Sequence, residues 1–112
     1  MNTDSQSFIF ACQLSDLQSG RGIKVIIDEE EVALFKVKNI VYALSNVCPH
    51  QHRSIIFDGF IEYEYIVCPA HGWKFNLKDG MQPGNRKGLR SFETKIIDKS
   101  VYVKITKSSF KW

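Results

Sequence analysis

Apolar and polar positions alternate with a period of two along most of this chain, and that period predicts strands. Ser7 to Cys12 reads as a first strand, followed by a turn at Asp16-Leu17-Gln18-Ser19-Gly20. Gly22 to Ile27 gives a second strand, closed by the acidic turn Asp28-Glu29-Glu30. Glu31 to Lys38 and Ile40 to Leu44 flank Asn39 as the two arms of a hairpin. Near the end, Ser91 to Ile97 and Val101 to Ile105 repeat the design around Asp98-Lys99-Ser100. These runs are rich in β-branched and aromatic residues, as strands prefer. No stretch keeps a helical period for more than about two turns. The pattern predicts an all-β fold, an antiparallel sandwich or partly open barrel. Its core between the sheets is expected to contain Ile26, Leu34, Val37, Leu44, Ile96 and Val103.

Residues 46–88 behave differently. Pro49, Pro69 and Pro83 all fall here, with Gly59, Gly72, Gly80, Gly84 and Gly88, around short strands such as Tyr65-Ile66-Val67 and Trp73-Lys74-Phe75. A loop-rich insert carried on a β scaffold is a natural place for function.

Length and composition narrow the picture. At 112 residues the chain is read as one domain, 1–112, with no room for a second. Apolar residues make up 44% and charged residues 24%, a globular balance that argues against disorder. No stretch approaches the roughly 18 apolar residues of a membrane span, and the start, Met-Asn-Thr-Asp-Ser-Gln-Ser, lacks the basic and apolar regions of a secretory signal. A soluble cytoplasmic protein is expected. Charge is unevenly spread: residues 1–71 hold five Lys/Arg against nine Asp/Glu, and residues 72–112 hold ten against three, giving −4 and +7. The basic half could steer an acidic partner. A solvated strand surface explains it equally well, because the lysines alternate with apolar residues. Without a dense Lys/Arg run or a binding motif, nucleic acid is not an expected partner.

The candidate chemistry lies in the insert. Two of the chain's three cysteines and two of its three histidines form one pattern: Cys48-Pro49-His50, then Cys68-Pro69-Ala70-His71. Each pair places two metal donors within a tight turn stiffened by proline. Gly72 follows the second pair and allows backbone amides to approach an anionic core. Three cysteines do not make a disulfide framework. Cys12 is left over, and is expected as a small buried residue in the first strand. Thiolates favour iron–sulfur clusters, zinc and copper(I), and imidazole favours zinc, copper and iron. The residues themselves leave two candidates, a structural zinc site and a two-iron cluster.

Cys48-Pro49-His50 with Cys68-Pro69-Ala70-His71-Gly72-Trp73 resembles the two boxes of the Rieske [2Fe–2S] family. The resemblance extends to Val32–Val37 and Val41–Asn46 before the first box, and to Phe75-Asn76-Leu77, Gly80, Pro83 and Leu89 after the second. It covers the chain from about Phe8 to Ile105, and a zinc finger's helical His-x₃₋₅-His pair is absent. The resemblance implies one [2Fe–2S] cluster per chain, with Cys48 and Cys68 on one iron and His50 and His71 on the other. Neutral imidazoles in place of two thiolates make such a centre less negative and favour its reduced state.

Quinol-oxidising members of that family carry an extra cysteine in each box, which form a bracing disulfide. Here Arg53 or its neighbours and Ala70 stand in those places. Those members also place a serine and a tyrosine hydroxyl near the cluster, where this chain has Trp73 and Phe75. Fewer hydrogen bonds to sulfur imply a potential on the order of −150 mV, well below the upper end near about +300 mV. His52 stands where the family often has glycine, and is read, like Arg53, as a solvated loop residue. The resemblance implies a soluble ferredoxin rather than an enzyme: a monomeric one-electron carrier between a reductase and an oxygenase or similar terminal acceptor. Its alternatives are a small subunit of a multi-subunit oxidoreductase, like that of NAD(P)H-dependent nitrite reductase, and a structural zinc module.

Overall fold

The computed structural model describes residues 8–48, 53–70, 72–84 and 88–105. They form strands β1 (Phe8–Gln13), β2 (Gly22–Ile27), β3 (Glu30–Val37), β4 (Ile40–Ser45), β5 (Val47–Cys48) and β6 (Arg53–Ser54). After these come β7 (Phe60–Glu62), β8 (Tyr65–Val67), β9 (Lys74–Asn76), β10 (Ser91–Ile97) and β11 (Ser100–Lys104). The helical elements among the described residues are two 3₁₀ turns, Leu14–Asp16 and Ile56–Asp58.

Six strands in the order β1-β11-β10-β4-β3-β2 make one antiparallel sheet that nearly closes as a barrel. The expected all-β architecture is therefore present. Three hairpins of this sheet turn through two residues each, and neither is glycine. Asp28 and Glu29 have φ of 52° and 72°, Lys38 and Asn39 of 51° and 69°, and Asp98 and Lys99 of 54° and 68°. Two successive left-handed residues match the twist of the strands they join. Glu30 and Ser100, read from the sequence as turn residues, already belong to β3 and β11.

The central hairpin β3–β4 is buried on both faces, so Val32-Ala33-Leu34-Phe35 reads as an unbroken apolar run. Val32 and Leu34, with Val41 and Ala43, face the barrel core beside Cys12, Phe92, Val101 and Val103. Ala33, Phe35 and Leu44 face the opposite way, into a second core with Ile56, Ile66, Phe75, Leu77 and Leu89. The second core lies under two small sheets, β5-β6 and β7-β8-β9, which form the loop-rich insert.

Two expected core residues are not in it. Ile26 is 66% exposed and Ile96 42% exposed. On the edge strand β2 the buried side is that of Ile23, Val25 and Ile27, which turns Ile26 outward. Strand β10 pairs with β4 only at Ser91 and Phe92, so its far end at Ile96 lacks that neighbour. Leu34, Leu44 and Val103 are fully buried and Val37 is half-buried, but Leu34 and Leu44 sit in different cores.

Candidate metal centre

Two hairpins present the candidate ligands. In the first, Val47 pairs with Ser54 and Cys48 with Arg53. The residues between, 49–52, lie outside the described residues and include His50 and His52. In the second, Cys68 leaves β8 and the chain returns in β9, with Val67 opposite Lys74. The Cys68 N–H donates to the Trp73 carbonyl at 2.8 Å, and the Gly72 N–H to the Cys68 carbonyl at 3.0 Å. His71 inside this loop also lies outside the described residues. Gly72 adopts φ +77°, a conformation that favours glycine. Its amide is engaged by the Cys68 carbonyl, so glycine serves to close this turn rather than to present that amide.

The hairpins bring Cys48 and Cys68, twenty residues apart in the chain, to an Sγ–Sγ distance of 3.6 Å. Both are buried, at 1% and 2% exposure, and neither is in a disulfide. A tetrahedral metal with metal–sulfur bonds of about 2.3 Å spans two thiolates by about 3.8 Å. The pair is thus spaced to share one metal ion. Among the described residues no third His, Cys, Asp or Glu joins them. Trp73 packs on the second core from the rim and Phe75 is fully enclosed in it, and neither carries a hydroxyl.

Sequence reasoning gave no role to the residues at the base of the first loop. Asn46, directly after β4, is fully buried. Its Oδ1 accepts the Phe57 N–H at 2.7 Å, and its Nδ2 donates to Glu31 Oε1 at 3.3 Å. Hydrogen bonds from Ser54 and Asn46 hold the Glu31 carboxyl below its ordinary value of 4.5, with a smaller contribution from nearby Lys24, while burial opposes them. The sequence signal was an asparagine between an apolar strand and a ligand pair. Cys12, by contrast, lies in the barrel core as expected. Burial and then the Asp16 charge push its thiol up to about 11.

A model of the Rieske-like [2Fe–2S] domain matches residues 7–104. The chain belongs to the Rieske-like [2Fe–2S] domain family. The ferredoxin component of the naphthalene 1,2-dioxygenase/salicylate 5-hydroxylase systems of Ralstonia sp. is 30% identical over 90% of this chain and 98% of its own length. Among solved structures, a Mycobacterium tuberculosis protein described as an NADH-dependent nitrite reductase small subunit superposes with a TM-score of 0.86. It is 24% identical, and the match covers 94% of this Rieske-like chain and all of that one. A chain from the complex of reduced oxygenase and oxidised ferredoxin in carbazole 1,9a-dioxygenase is 28% identical. Its TM-score is 0.76, over 88% of this chain and 94% of that one. The family's group is a [2Fe–2S] cluster, and the buried thiol pair fits one of its irons. The structural zinc alternative drops out with this membership.

Proposed function

We propose that Cys48, His50, Cys68 and His71 hold a [2Fe–2S] cluster, and that the protein carries single electrons from a reductase to an oxygenase or similar acceptor. The observation that carries the reading is the buried Cys48–Cys68 pair at 3.6 Å, offered by two separate hairpins. When bound, the cluster supplies a centre that takes up and releases one electron. The protein's part is to bind and to tune. Cys48 and Cys68 sit in the second core, which shields one side of the centre from water. The reading assigns His50 and His71 to the second iron, where imidazole edges would offer a route to a docked partner.

Relatives that are ferredoxin components of a naphthalene 1,2-dioxygenase/salicylate 5-hydroxylase system and of an alkene monooxygenase system support this reading, and the complex of ferredoxin with oxygenase supplies the type of acceptor. Trp73 and Phe75 leave the cluster sulfurs without hydroxyl donors from those positions, so the midpoint belongs at the low end of the family, on the order of −150 mV. Redox titration of the purified protein tests this, and a midpoint above zero contradicts it. A second reading, a small subunit of a nitrite-reductase-like enzyme, rests on likeness of fold. Gel filtration separates the two: a free carrier elutes as a monomer, a subunit with its large partner. The proposal treats 1–112 as one domain with its cluster-binding insert at about 46–88. It also places the protein in the cytoplasm, where a reducing milieu suits three cysteines in no disulfide.

A further inference from the structure

We propose that Asn46 and Glu31 form a positioning clasp that closes the base of the first ligand loop and holds Cys48 at metal-sharing distance from Cys68. The inference rests on the cluster assignment above. Asn46 is the one buried polar side chain among the described residues, and its side-chain oxygen and nitrogen are both engaged. On one side its main-chain N–H donates to the Glu31 carbonyl at 2.9 Å, beside the side-chain bond to the Glu31 carboxylate. On the other, its carbonyl accepts the Ile56 N–H at 3.2 Å, beside the bond from the Phe57 N–H to Oδ1. Residues 47–55, which carry Cys48, lie between these two attachments. One residue thus fixes both ends of the segment against β3, where Glu31 pairs with Ile26 of β2 and lies directly before Val32, the first residue of β3 paired with β4.

The two loops differ in how much they need such help. The second is tied by backbone bonds across Cys68–Trp73, and its strand β8 has a partner on each side. The first has two paired residues on each strand, and an isolated two-stranded ribbon is marginal at best. No disulfide joins the loops. Asparagine suits the clasp because one short side chain offers an acceptor and a donor together. Alanine removes both and leaves the Phe57 amide without its partner in a part-buried site. Aspartate keeps the acceptor but turns a second carboxylate toward Glu31.

The test is iron release from the cluster-loaded full chain to excess chelator, followed by loss of visible absorbance, with thermal stability measured alongside. Asn46→Ala is expected to release iron about tenfold faster, the lower end of what loss of a supporting contact costs a metal site. Val101→Ala, in the barrel core away from both loops, is expected to lower thermal stability and leave the release rate unchanged. Asn46→Asp is expected to release iron fast, and the double variant Asn46→Asp with Glu31→Gln to return within about threefold of the parent, because a donor again faces an acceptor. Parent-like release from Asn46→Ala overturns the clasp, as does equally fast release from Val101→Ala or no recovery in the double variant. Should Asn46→Ala fail to fold, Glu31→Ala removes the same contact together with the Ser54 bond, and Ser54→Ala separates the two: release at least about threefold faster from Glu31→Ala than from Ser54→Ala supports the clasp, and equal rates overturn it. A parent chain that takes up no iron overturns the cluster assignment itself, a result seen before any variant is compared.

Discussion

Replacing Gly22 with alanine loads a contact shared by the barrel edge, the central hairpin and the base of the first ligand loop. Gly22 opens β2 and pairs with Phe35. A Cβ at this position would fall 2.6 Å from the Phe57 carbonyl oxygen and 2.9 Å from Phe35 Cδ1, with Phe35 Cε1 closer still. Carbon contacts are comfortable at about 3.5–4.0 Å, so a neighbour has to retreat by most of an ångström. Neither moves easily. The Phe35 ring is completely buried in the second core, and the Phe57 amide is held by Asn46. Overpacking of this kind costs about 1–3 kcal/mol, and two fixed obstacles place Gly22→Ala in the upper part, at about 2–3 kcal/mol. For a domain near this size that lowers the melting temperature by about 10–20 °C.

Gly20→Ala is the comparison. Gly20 has φ +82° and nothing within 4 Å of its notional Cβ, so only backbone strain opposes the change, at about 1 kcal/mol. Urea unfolding of the two variants beside the parent is expected to rank Gly22→Ala as the more damaging, despite its ordinary backbone. A Gly22→Ala cost below about 0.5 kcal/mol, or one no larger than that of Gly20→Ala, would refute the packing described here.

Three further outcomes are expected. Glu29→Gly should stabilise the protein by about 0.5–1 kcal/mol, because Glu29 sits at φ 72° in a two-residue turn where glycine carries no left-handed penalty; an unchanged or lower urea midpoint would count against that turn. The Glu31 carboxyl is lowered in the folded protein, so its stabilisation is complete above 4.5 and is lost as pH falls through the depressed folded value. Acid unfolding in Glu31→Gln should be shallower below that point, and a profile identical to the parent's would remove Glu31 from the account. Cys12, with its thiol raised to about 11, should resist iodoacetamide at pH 8 while the protein is folded and react once it is denatured, as mass spectrometry of the peptide would show.

How much of this was visible in the sequence depends on the range of the interaction. Strands β2 and β10 begin and end where the period and flanking turn residues place them, because both signals are local. Strands β5, β6 and β7 hold two or three residues each, too few to show a period. Val25-Ile26-Ile27 is apolar throughout, so its pattern does not say which side is covered; the sheet's edge decides it, and Ile26 ends outside. The ligand pairs were legible because Cys and His are scarce and fell into two proline-bearing turns. The approach of Cys48 to Cys68 followed only from the family resemblance and not from local pattern, since it needs the second core to seat two hairpins side by side. The Asn46–Glu31 contact spans fifteen positions and arises from β3–β4 pairing, which brings Ser45 opposite Val32 and so sets Asn46 beside Glu31.

Mössbauer spectroscopy of the protein loaded with ⁵⁷Fe tests the central claim most directly. Two thiolates on one iron and two imidazoles on the other predict two distinct doublets of equal area in the oxidised protein, with the added electron localised on the histidine-bound iron after reduction. A single all-thiolate environment, or a purified chain that carries zinc and no iron, would contradict the assignment of Cys48, His50, Cys68 and His71.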